Sequence, residues 1–240
     1  MSTQAAVLLA AGHGTRLGRD KPTLLFNGES LLARHIRQAR LAGVTEFVVV
    51  AGLHNEDHIR QITAAIPDPH EIEVVLQQGP DAHAAAATGL EHIADRDAAF
   101  VCGITDIVPD DTYLTMAVSA ADPGLTIAAF VLEHPFVGGM LDFHPGTHNI
   151  RRIVERPPGG CPPGRLVNIW IHHLAGADFV PQIAQRTREL GDYEEAVNEA
   201  LARGSHGRAH IISDWEAVKD PASLTRAHAR FPASGPTAAA

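Results

Sequence analysis

Leu9-Ala10-Ala11-Gly12-His13-Gly14-Thr15-Arg16-Leu17, with Lys21-Pro22 close behind, follows directly on a short apolar run at residues 5–10. A continuous apolar run of that length, bounded by glycine, reads as a buried strand. Beyond it, small residues let backbone N–H groups approach a base and its phosphates, because no Cβ stands between chain and ligand. Arg16 and Lys21 bring two positive charges to the same loop, the complement of a triphosphate. Gly-x-Gly by itself is a weak pattern. At the carboxyl end of a strand and flanked by two cations, it predicts a nucleotide-binding loop formed by Leu9, Ala10, Ala11, Gly12, Gly14 and Thr15.

Working outward, strand and helix patterns alternate. Residues 31–42 read as an amphipathic helix, 47–50 as a strand, 54–65 as a helix, 73–76 as a strand, 82–93 as a helix and 100–104 as a buried strand. This order predicts an α/β fold: Rossmann-like, with a mostly parallel mixed sheet, helices on both faces, and a ligand site beyond the carboxyl ends of the strands. From 125 to 132 and from 137 to 154 the pattern turns strand-rich, with a hairpin turn at 142–148 carrying Pro145-Gly146, and the acceptor side is expected there. Residues 157–164 hold so many prolines and glycines that a mobile irregular loop is expected. A strand at 166–173, helices at 179–189 and 193–203, an extended stretch at 210–218 and a closing helix at 221–230 complete a domain spanning residues 1–231, followed by a flexible tail at 232–240.

Composition excludes several classes. With 240 residues, 45% hydrophobic and 20% charged, the chain has material for a sizeable core. A net charge of -9 opposes bulk nucleic-acid binding, which requires clustered Lys and Arg. No apolar run approaches the roughly 18 residues of a membrane span, and residues 5–11 lack a basic leader, so a cytoplasmic protein with no membrane partner is expected. Cys102 and Cys161 are too few for a disulfide framework or a cysteine-rich zinc site. The fifteen histidines are scattered, and His172-His173 should point to opposite faces of a strand.

The opening segment resembles that of the sugar-phosphate nucleotidyltransferase superfamily, which includes glucose-1-phosphate thymidylyltransferases, N-acetylglucosamine-1-phosphate uridylyltransferases and phosphocholine cytidylyltransferases. Gly12-His13-Gly14-Thr15-Arg16 and Lys21-Pro22 match its first motif, and residues 21–32 its next frame, with Glu29-Ser30 where Lys-Pro is usual. Gln77-Gln78-Gly79-Pro80-Asp81-Ala82-His83-Ala84 is similar to the base-reading segment, in which Gln77 would contact the base, and Ala82 stands where that segment has Gly. Thr105-Asp106 stands at the Gly-Asp pair whose carboxylate holds Mg²⁺. Glu155-Arg156-Pro157 resembles Glu-Lys-Pro, which holds the acceptor's hydroxyls and phosphate; Arg156 keeps the charge but offers a planar fork. Asn168 matches a residue facing the acceptor, with Trp170 in a glycine position. Trp215-Glu216-Ala217-Val218-Lys219-Asp220-Pro221 resembles Trp-x-Asp-Ile-Gly-Thr-Pro, with Ala217 at the second metal-binding carboxylate and Asp214, Glu216 or Asp220 as substitutes.

The resemblance implies a Mg²⁺-dependent enzyme that moves a nucleoside monophosphate from an NTP to a small phosphorylated or phosphonate acceptor and releases pyrophosphate. Arg16 would face the leaving pyrophosphate, Lys21 the α-phosphate, Asp106 the Mg²⁺, and Glu155, Arg156 and Asn168 the acceptor. The altered base segment and a similarity to compact cytidylyltransferases lean towards CTP. Two alternatives stand beside this reading. Gly18-Arg19-Asp20-Lys21 also resembles molybdopterin-type cofactor nucleotidyltransferases, against which Glu155-Arg156-Pro157 argues; Ala217 suggests a nucleotide-binding regulatory protein that has lost catalysis. The sequence leaves the oligomeric state open, a homo-oligomer included.

Overall fold

The computed structural model describes residues 4–15, 17–120 and 123–232. Arg16 and most of the expected tail therefore lie outside the described residues. Nine strands form one sheet: β1 Gln4–Leu9, β2 Val44–Ala51, β3 Ile72–Leu76, β4 Ala98–Gly103, β5 Gly124–Val131, β6 Met140–Phe143, β7 Ile150–Val154, β8 Leu166–Ala175 and β9 His206–Ile211. Their main order is β7-β6-β8-β4-β1-β2-β3, with β5 on the other side of β8 and β9 beyond β5. The half built from β4, β1, β2 and β3 is wholly parallel. β8 enters antiparallel between β4 and β5, and β6 pairs antiparallel with β7. This is the expected mixed α/β sheet, with the parallel half carrying the glycine loop.

β1 is central because nothing in it has to meet water. Ala5 and Val7 enter the core on one face, with Val48 and Val50, while Ala6 and Leu8 enter the other with Phe47 and Val49. Alternation along a strand sends neighbours to opposite faces, so an unbroken apolar run suits a strand covered on both sides. Helices α1 Leu31–Leu41, α2 Glu56–Ala64, α3 Ala82–His92, α4 Thr112–Val118, α5 Phe179–Leu190, α6 Tyr193–Ala202 and α7 Pro221–Arg230 provide that cover. α3 packs close to β1 because it is rich in alanine and places Gly89 over Val7, where any Cβ would collide with the valine. Ser30, one of the departures from the superfamily frame, caps α1 by accepting a hydrogen bond from Ala33 N at 3.2 Å.

Three expectations need correction. α4 has no counterpart in the reading above, because its seven residues carry too little periodicity to stand out. The stretch expected as extended at 210–218 is two pieces: β9 begins at His206, and a separate short strand, Glu216–Ala217, pairs with Asp106–Ile107. The proline- and glycine-rich loop at 157–164 is pinned. Phe136 and Cys161 exchange backbone hydrogen bonds at 3.0 and 2.7 Å, and Gly164 N donates to Leu132 O at 2.8 Å. Cys161 and Cys102 are both buried free thiols. His172 and His173 do face opposite ways, the first toward Tyr193 and the second against the Phe100 ring. Among the described residues no helix is long and apolar enough to cross a membrane.

Candidate active site

The chain leaves β1 toward β2 on one side and reaches β4 on the other, so the gap beyond Leu9 and Gly103 is the switch point of the parallel half. Open α/β sheets bind ligands there. A cavity of about 730 Å³ occupies it, and its walls include Leu9, Ala11, Gly12, Gly14, Thr15, Lys21, Gln77, Asp81, Ala82, Asp106 and Trp170. Residues far apart in sequence thus meet because four parallel strands end in one plane.

The glycine loop is held from below. Ala10, expected in the nucleotide-binding loop, is instead buried behind the cavity surface, because its N–H donates to Val50 O at 2.8 Å and its carbonyl accepts from Asn55 Nδ2 at 2.9 Å. Asn55 also accepts from Gly52 N at 2.9 Å and donates to Asp20 at 3.3 Å, joining the glycine loop, the loop after β2 and the approach to Lys21. Gly14 has φ +57, and a Cβ there would collide with the carbonyl of Arg19, so a side chain would push away the segment that carries Lys21. Gly12 has nothing within 4 Å of where its Cβ would be, leaving room for a ligand. His13 stacks on His54 at 3.9 Å, and His54 Nε2 lies 3.3 Å from Asp20. Across the cavity, Gln77 N donates to Ala51 O at 2.8 Å and its side-chain amide to Gly79 O at 2.5 Å. Asp81 caps α3 by accepting from Ala84 N at 2.9 Å, which places Ala82 at the start of the helix on the cavity wall.

Asp106 is buried, and its carboxylate accepts from Trp215 Nε1 at 3.2 Å. Burial pushes its pKa up to about 7, opposed by the Trp215 bond and by the charges of Lys219 and Lys21. Behind it, burial lowers His35 to about 4, so that ring is neutral. Its Nε2 lies 3.0 Å from the Asp106 carbonyl, which can only accept, and Nδ1 lies 2.7 Å from the Tyr113 hydroxyl. The tautomer with the proton on Nε2 follows, with Tyr113 donating to Nδ1.

The residues around Asp106 fit a cation only in one way. Ala217 is registered directly opposite Asp106 in the short strand pair. The three substitute carboxylates are engaged elsewhere: Glu216 with Arg226 at 2.8 Å, Asp214 with Trp215 N at 2.8 Å and Arg230 at 3.1 Å, and Asp220 as the cap of α7 with Ser223 N at 2.7 Å. Among the described residues no cluster of three or more His, Cys, Asp or Glu is suited to a metal ion. A Mg²⁺ ion carried by triphosphate oxygens and touching the protein at one carboxylate fits; a cation caged by two protein carboxylates does not.

The residues expected to face an acceptor lie apart from this cavity. Glu155 lines a second cavity of about 620 Å³ together with Asp192 and Glu194. Trp170 stands between the two, since it lines the first and its backbone N–H donates to Asn168, which in turn donates to Glu194 in the wall of the second. Burial, then the charges of Glu155 and Asp192, push the Glu194 carboxyl up to about 8. Asn168 is buried; it accepts from Trp170 N at 3.0 Å and from His172 Nε2 at 2.8 Å, and donates to Glu194 at 3.3 Å, so it orients the wall. Arg156 has φ 42, lies 3.3 Å from Glu155, and its side chain is 78% exposed, which puts its guanidinium on the rim.

Trp170 sits in a bulge where residues 169–171 of β8 face Ala128 alone, with φ 55. A left-handed backbone costs an L-residue roughly 1–2 kcal/mol, which explains the glycine of the superfamily pattern at this position. Trp170→Gly should therefore be more stable than Trp170→Ala by about 1 kcal/mol, the reverse of the usual ranking inside regular structure. Urea unfolding of both variants checks it, since each loses the same indole contacts.

The structure thus brings together Leu9, Ala11, Gly12, Gly14, Thr15, Lys21, Gln77, Asp81, Ala82 and Asp106 around one cavity, sets Glu155 in the second, buries Ala10 and Asn168, and leaves the Arg156 side chain exposed. Sequence reasoning passed over Gly52, Leu53 and His54 on the cavity wall, and Asn55 beneath it. Their place directly after a parallel strand is the signal that could have found them.

Residues 6–191 match the model of the MobA-like NTP transferase domain. The chain is similar to the "Bifunctional protein GlmU" of Geobacter metallireducens, 29% identical over 95% of this chain and 50% of that protein. It is also similar to the GlmU of Paracoccus denitrificans, 28% identical over 95% of this chain and 52% of that protein. The chain spans about half the length of these curated relatives. A putative glucose-1-phosphate thymidylyltransferase from Bacillus anthracis shares the fold with a TM-score of 0.78 over 95% of both chains, at 16% identity. With the family match covering most of the chain, the chain belongs to the MobA-like NTP transferase domain family, within the sugar-phosphate nucleotidyltransferase superfamily.

Proposed function

We propose that the protein is a nucleotidyltransferase that transfers a nucleoside monophosphate from an NTP to a small phosphorylated or phosphonate acceptor, with CTP the favoured donor. The single observation that carries this reading is the meeting of the glycine loop, Lys21, Gln77 and Asp106 around one cavity. An anionic oxygen of the acceptor attacks the α-phosphorus; the new P–O bond forms as the α–β bridging bond breaks, and the electron pair leaves with pyrophosphate. The nucleophile arrives already ionised, so the chain has to supply position and positive charge rather than a base. Gly12, Gly14 and Thr15 cradle the phosphates, Gln77 offers both a donor and an acceptor to the base edge, and Lys21 meets the α-phosphate. Arg16 is assigned to the leaving pyrophosphate. Mg²⁺ bound at Asp106 and the triphosphate would supply further charge neutralisation.

Pyrophosphate release, measured with each NTP against a panel of sugar phosphates, aminoalkyl phosphates and phosphonates, tests the proposal. Absence of release with every pair, in a protein that binds an NTP, would favour the regulatory reading that Ala217 motivates. The rim position of Arg156 leads to a second expectation. Arg156→Ala should raise the acceptor KM about tenfold or more while the NTP KM changes little, because a charged hydrogen-bonding group is lost from the acceptor side alone. Arg156→Lys should recover part of the loss, since a point charge cannot reproduce the planar fork. Unchanged kinetic constants for Arg156→Ala would remove that residue from the acceptor site.

A further inference from the structure

Against the superfamily pattern Trp-x-Asp-Ile-Gly-Thr-Pro, the segment from Trp215 to Pro221 loses a carboxylate at Ala217 and gains an ammonium at Lys219, where the pattern has glycine. The fold puts both changes at one place. Ala217 is paired with Asp106, and Val218 N donates to Thr105 O at 3.0 Å, so Lys219 leaves the strand next to two residues that line the cavity. Its N–H is anchored by Ser223 Oγ at 2.8 Å. Its Nζ donates to Val137 O at 3.2 Å and lies 3.6 Å from the centre of the Phe136 ring. Phe136 packs edge-on against Trp215, which holds Asp106. On the other side, Gly138 O accepts from Arg156 N at 3.2 Å, and a Cβ on Gly139 would lie 2.5 Å from Glu155 Oε2. Lys219 therefore bridges the Asp106 strand and the segment that lies against Glu155. Its charge favours the ionised form of both carboxylates.

We propose that Lys219 is a catalytic residue that binds the acceptor's phosphate or phosphonate, supplying from the protein the positive charge that a cation held by a second carboxylate would bring. The inference rests on the nucleotidyltransferase reading. For attack, an anionic acceptor oxygen must come within about 3–3.5 Å of the α-phosphorus, itself surrounded by anionic oxygens. A cation between the two anions lowers that repulsion most where water is excluded. An ammonium has three donors on a flexible stem and can exchange an internal carbonyl for a phosphate oxygen of higher charge. Lys219 keeps its protons throughout the step.

The test uses inorganic phosphate as the probe, titrated by calorimetry into protein saturated with an NTP analogue whose α,β bridge is methylene. Lys219→Met, which keeps an unbranched stem without the charge, and Lys219→Ala should weaken phosphate binding about tenfold or more, and Lys219→Arg by no more than about threefold, with analogue affinity unchanged in all three. Mn²⁺ binding followed by electron paramagnetic resonance gives a readout independent of turnover. The wild type should take one ion with the analogue, and the double variant Ala217→Asp with Lys219→Gly should take a second. Phosphate affinity of Lys219→Met equal to wild type, a wild-type complex that takes no phosphate, a wild type that already binds two Mn²⁺ ions, or a double variant that gains none would each overturn the inference. Failure of the wild type to bind any NTP analogue would instead remove the nucleotidyltransferase reading, and this inference with it.

Discussion

Lys21→Ala is expected to lower kcat by at least about a hundredfold, because it deletes a positive charge that meets the α-phosphate as negative charge shifts in the transition state. The fold should be untouched. Lys21 opens a short helical turn, Lys21–Thr23, whose backbone bond from Leu24 N to Lys21 O at 3.0 Å does not involve the side chain. The buried contacts of the turn belong to Pro22. The NTP KM should move much less than kcat, since the glycine loop and Gln77 hold the nucleotide independently. Single-turnover kinetics with a saturating NTP, alongside a thermal melt, separates these effects. Near-normal turnover would take Lys21 out of the mechanism.

Asp106→Asn is expected to split activity from stability in opposite directions. Activity should fall by two orders of magnitude or more, about what the loss of one electrostatic contact to a reacting phosphate costs. The metal-free protein should nevertheless become more stable at pH 8. The carboxyl is raised in the fold from its ordinary value of 3.8 to about 7, so between those values the folded state binds more protons than the unfolded one, and stability falls as pH rises through that window. Above pH 7 the wild type carries a buried ionised carboxylate that the amide lacks, a difference of about 2–4 kcal/mol for a shift of this size. Asn can still accept from Trp215 Nε1. A higher melting temperature than wild type at pH 8 in the presence of a chelator, with the two converging toward pH 4, is the expected pattern. Equal melting curves at both pH values would show that the carboxylate is not strained, and an unchanged Mg²⁺ titration of activity would separate Asp106 from the metal.

Such a trade between function and stability is common at sites that must hold charge away from water. It also bears on Glu194, whose carboxyl is raised to about 8 beside Glu155 and Asp192. Trp170 adds backbone strain at the same wall. The wall between the two cavities thus contains groups that cost stability.

What the sequence determined by itself is the parallel half of the sheet and the loop on top of it. An unbroken apolar run followed by Gly12-His13-Gly14 leaves one economical reading, because a strand buried on both faces has to lie inside a sheet and its glycine-rich exit has to face a ligand. Gln77 and Asp106 were legible for the same reason: each follows a strand of that half, and such strands all end at one edge. The antiparallel half was less legible. Its strands are antiparallel and interrupted, so periodicity could not say that Trp170 is a left-handed residue in a bulge, or that Asn168 spends its hydrogen bonds on the wall. Nor could it say which carboxylates near Trp215 remain available, since Asp214, Glu216 and Asp220 differ only in the partners that the packing of α7 gives them, Arg230, Arg226 and Ser223. Only the tertiary structure decided that Ala217 faces Asp106 and that Lys219 reaches from that strand to Val137, because strand register and side-chain pairing are set by contacts between segments far apart in the sequence.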